Sequence, residues 1–145
     1  MLLSEAIKEK DYIEESIVNL REYIESTLLV EDKTEFKMNK TLIDGRIQEL
    51  KDACRKYQQF SVTIQRAKAD AIIKVNDTEL SVLDAEVIKG SMEKKLESFE
   101  SLLGTAIDNN CANTEELFNK VEAMRADIKI LGSEIDYATW HVEVQ

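Results

Sequence analysis

Apolar residues along this chain recur at alternating steps of three and four, which is the spacing of one face of an α-helix. Leu3, Ala6, Ile13, Ile17, Leu20 and Ile24 form the first such stripe, interrupted by Lys10. The residues between them are mostly Glu, Lys, Asp and Arg, so the segment predicts an amphipathic helix over about 4–29. A second stripe runs through Ile43, Ile47, Leu50, Cys54, Tyr57 and Ile64, with Ser61 filling its gap. It predicts a helix over 41–69, weakened near its start by Gly45, which costs about 1 kcal/mol relative to alanine. The polar run 31–40 between the two reads as a connection, with Phe36 or Met38 holding a short piece against the helices.

The pattern then changes period. Residues 71–75 are rich in β-branched side chains, 76–79 are turn-like, and 80–82 alternate again. This predicts a small β-hairpin, with a plain loop as the competing reading. Ser81 or Thr78 is placed to cap a third helix, with Asp84 three residues after Ser81 as a variant of the capping box. The third stripe carries Ala85, Ile88, Met92, Leu96, Phe99, Leu102 and Leu103, and Gly104 suits its C-terminal stop. A polar connection over 105–113 leads to Asn113 and Glu116, a second capping signal. The last helix carries Leu117, Val121, Met124, Ile128, Leu131, Ile135 and Ala138 at unbroken heptad spacing.

A helix of ~25 residues is about 37 Å long, and its stripe must be covered by neighbours of similar length. The expected fold is therefore all-α: an elongated antiparallel bundle of about four long helices, with the small hairpin between helices 2 and 3. Residues 1–145 are read as a single helical domain. The absence of proline and the four glycines argue against a turn-rich β-sandwich or barrel. Polar residues at seam positions, Lys10, Ser61 and Lys95, leave room for assembly into a homo-oligomer.

Charge narrows the choice of partner. Nineteen basic and 29 acidic residues give a net charge of -10. The deficit is uneven: -2 over residues 1–70 and -8 over 71–145. Such a chain repels phosphate backbones unless its cations cluster, so general nucleic-acid binding is not expected. Two cysteines, Cys54 on the second stripe and Cys111 in a polar segment, look like reduced residues rather than staples, and Cys54 reads as a packed thiol. The first residues lack the basic and long apolar regions of a signal peptide. No window approaches the ~18 apolar residues needed to span a bilayer. No transmembrane segment and a cytoplasmic location are the expectation.

Candidate chemistry is sparse. His141 is the only histidine, which rules out a His-rich metal site and the paired Glu-x-x-His arrangement of di-iron bundles. No catalytic, metal or cofactor residues are assigned. The acidic residues of the first helix, such as Asp11, Glu14 and Glu22, face away from its stripe as solvated charges. The scattered glycines form no phosphate-cradling loop. One basic set does flank the expected hairpin: Arg66, Lys68 and Lys74, with Lys89 on the next helix. If the hairpin folds back, these cations could gather around a small phosphorylated or carboxylate anion; the plainer reading is cations favoured at a helix C-terminus. Trp140 and Tyr137, at the end of the last heptad, either seal the bundle or dock a partner.

The opening, Leu3-Ser4-Glu5-Ala6-Ile7 through Asp11 to Leu20-Arg21-Glu22, resembles the start of the septicolysin-like family of small bacterial proteins. So does the close, Leu131-Gly132-Ser133-Glu134-Ile135-Asp136 leading to Thr139-Trp140. The likeness extends in order and spacing through the middle, where Glu79-Leu80 begins the third helix. It departs at Ile64-Gln65-Arg66-Ala67-Lys68, around Val87-Ile88-Lys89, and at Thr139, where the family has Asn. The resemblance implies a helical fold of uncharacterised function, and its name a pore-forming activity that these residues do not themselves indicate. The expected function is that of a non-enzymatic, self-associating helical binding protein, with a small-anion binder as the alternative and a membrane-active protein as a third.

Overall fold

The structure, a computed structural model, describes residues 1–29 and 33–145, with side chains described at 1–29 and 40–145. Among the described residues the protein is all-α, with four helices and one two-stranded antiparallel hairpin. The order is α1 (Leu3–Leu28), α2 (Lys33–Asp70), β1 (Ile72–Val75), β2 (Thr78–Ser81), α3 (Val82–Asp108) and α4 (Thr114–His141). The chain divides into two compact units, one of residues 1–66 with 143–145 and one of residues 67–142.

In the first unit α1 runs antiparallel to α2. Lys10 Nζ lies 5.4 Å from the centre of the Tyr57 ring, and the Arg46 guanidinium lies 5.4 Å from that of Tyr23. Numbers rising along one helix thus meet numbers falling along the other. Leu3, Ala6, Ile13 and Ile24 of α1 are buried, as are Ile43 and Ile64 of α2. Lys10, which breaks the apolar stripe in the sequence, keeps a seam position by setting its ammonium over an aromatic face. Ser61 fills the second gap by donating its hydroxyl to the Tyr57 carbonyl at 2.7 Å. At the N-terminus the Glu5 carboxylate accepts the Leu2 N–H at 2.7 Å, and Val144 N–H donates to the Met1 carbonyl at 2.9 Å.

In the second unit the hairpin and the antiparallel pair α3 and α4 share one core. Ile73, Val82, Ala85, Leu131, Ile135 and Ala138 form it, edged by Ala71, Val75, Leu80, Met92 and Val142. The hairpin register pairs Ile72 with Ser81, Ile73 with Leu80, Lys74 with Glu79 and Val75 with Thr78. Its alternation sends Ile73 into the core and Ile72 to solvent. The turn is shorter than the sequence implies. It is made by Asn76 and Asp77 alone, with φ of 49° and 65°, the left-handed pair that a two-residue type I′ turn requires. Ser81 then caps α3 as expected, its hydroxyl accepting the Asp84 N–H at 3.0 Å.

Four local expectations need correction. The connection expected over 31–40 is helical from Lys33 onward, because nothing in 33–40 is Pro or Gly to stop α2 from extending. The expected anchoring by Phe36 or Met38 falls on side chains outside the described residues. Gly104 does not end α3, which runs on to Asp108. The stop is a Schellman motif: Asn110 takes φ 51°, Cys111 N–H donates to the Ala106 carbonyl at 2.9 Å, and Asn110 N–H to that of Ile107 at 3.2 Å. Asn113 occupies the N-cap of α4 without a side-chain capping bond, its φ of -91° and ψ of 11° lying outside the extended region typical of a capping residue. Cys54 is exposed rather than packed, since the α2 stripe turns its centre away from that position.

Candidate functional site

The basic set from the sequence is not gathered into one pocket. Lys68, in the last turn of α2, has its ammonium 3.0 Å from a Glu86 carboxylate oxygen on α3, and only 14% of its side chain is exposed. Lys74, on β1, reaches Asp77 of the adjoining turn at 3.8 Å. Lys89 reaches Glu93 one turn along α3 at 3.4 Å, with its stem against Gly132 of α4. Each of the three lysines therefore already faces a carboxylate of its own, which works against convergence on a shared anion. Arg66 is exposed on α2 and borders a shallow groove with Arg55, Gln58, Gln59, Val62 and Thr63, all of the same helix. On the same helix, hydrogen bonding to Glu49 at 2.9 Å and that group's charge raise the Arg46 pKa above its ordinary value, which leaves this guanidinium cationic throughout.

Tyr137 and Trp140 lie three residues apart on the last turns of α4. Both are more exposed than buried, at 64% and 54%. His141 stacks on Tyr137 with ring centres 3.9 Å apart, and its Nδ1 lies 2.6 Å from the Tyr137 carbonyl oxygen. That oxygen can only accept, so Nδ1 carries the proton. Among the described residues no group of three or more His, Cys, Asp or Glu side chains is placed to hold a metal ion. An open groove at the start of α4 is lined by residues that include Asn113, Glu115, Glu116, Asn119 and Lys120.

The feature missing from the sequence reading is a second stripe on α4. Ala123, Ala126, Ile130, Ser133, Tyr137 and Trp140 follow one another at steps of three and four, and all are exposed. They lie diametrically opposite the buried stripe of Val121, Leu131, Ile135 and Ala138. The helix thus carries two stripes, one closed on α3 and the hairpin and the other made of residues that stay exposed. Spacing alone could have revealed it; the small size of Ala and Ser masks it.

Comparison with protein-family models, with curated proteins and with solved structures returns no match.

Proposed function

We propose that the chain is a non-enzymatic helical interaction protein that associates with copies of itself through apolar helix faces. The observation that carries this reading is the set of large apolar side chains that the helices leave exposed. It includes Val87, Ile107 and Phe118 in addition to the outer seam of α4. Exposed apolar surface is a common mark of interaction sites. The small-anion alternative would require Lys68, Lys74 and Lys89 to give up the carboxylates they already face. The membrane activity implied by the septicolysin-like resemblance would call for helices with basic polar faces, whereas acidic residues outnumber basic ones here. Among the described residues no helix is long and apolar enough to cross a membrane.

Sedimentation velocity from 1 to 200 μM tests the proposal. A weight-average mass rising above the 16.6 kDa of the chain is the expected result. A mass that stays at the monomer value throughout would overturn it.

A further inference from the structure

We draw no further inference here: the strongest candidate, the exposed stripe of small and apolar residues that runs along α4 from Ala123 to Tyr137, carries nothing because nothing in the structure shows what covers it.

Discussion

Lys68 and Lys74 are six residues apart in the sequence and look alike there, but their surroundings separate them. Lys68 is largely withdrawn from water and depends on Glu86 at 3.0 Å, whereas Lys74 is 65% exposed and only brushes Asp77 at 3.8 Å. Removing one partner of a shielded pair strands the other charge, while an exposed pair contributes little. Glu86→Ala should therefore lower unfolding stability by about 1 kcal/mol and Lys74→Ala by less than about 0.5 kcal/mol. Urea denaturation of the two variants checks this; equal losses would mean that both lysines are solvated alike. The sequence could place these cations near the hairpin because charge is visible in it. It could not show that each would be matched, since Glu86 lies eighteen positions from Lys68. Capping was legible to the same degree. The Ser81 hydroxyl does its expected work, but Asn113 fails at an equally good signal because its backbone leaves the extended region that aims the side chain at the first turn.

At the scale of elements, the apolar stripes found all four helices, and the change from a period of three and four to a period of two found the hairpin. What the stripes could not fix was where helices stop. Gly104 suits a helix end, yet α3 passes through it, and the chain turns only at Asn110, where a left-handed residue closes the Schellman motif. Glycine inside a helix is a cost without a benefit when nothing crowds the position. A Cβ built at Gly90 or at Gly104 meets no atom within 4 Å, whereas at Gly132 it comes within 3.3 Å of the Lys89 stem. Gly90→Ala and Gly104→Ala should each stabilise the protein by about 0.5–1 kcal/mol, through helix propensity alone. Gly132→Ala should gain less, because Lys89 must shift. Thermal melts followed by circular dichroism decide it. A loss of stability at Gly104 would show that the position has a neighbour that the isolated chain does not reveal, such as a second copy.

At the scale of the whole molecule, the same heptad logic that identified the core stripe of α4 also encodes its outer seam, but weakly. Ala123, Ala126 and Ser133 barely register as apolar, so only Tyr137 and Trp140 stand out in the sequence, where they suggest a cap or a docking point rather than the end of a stripe. A two-faced helix also spreads its apolar residues around the axis, which blunts the contrast on which such readings depend. Charge sets the condition under which that seam can act. A chain of net charge -10 repels its own copies, and the repulsion reaches over a Debye length of about 10 Å at 0.1 M salt but only about 3 Å at 1 M. The net-charge repulsion between copies weakens with salt, and apolar contacts do not. Association should therefore tighten severalfold between 0.1 and 1 M NaCl, measured as the dissociation constant from sedimentation at each salt concentration. An association that loosens with salt would mean that opposite charges, not an apolar seam, hold the copies together, and would return attention to the cations around the hairpin.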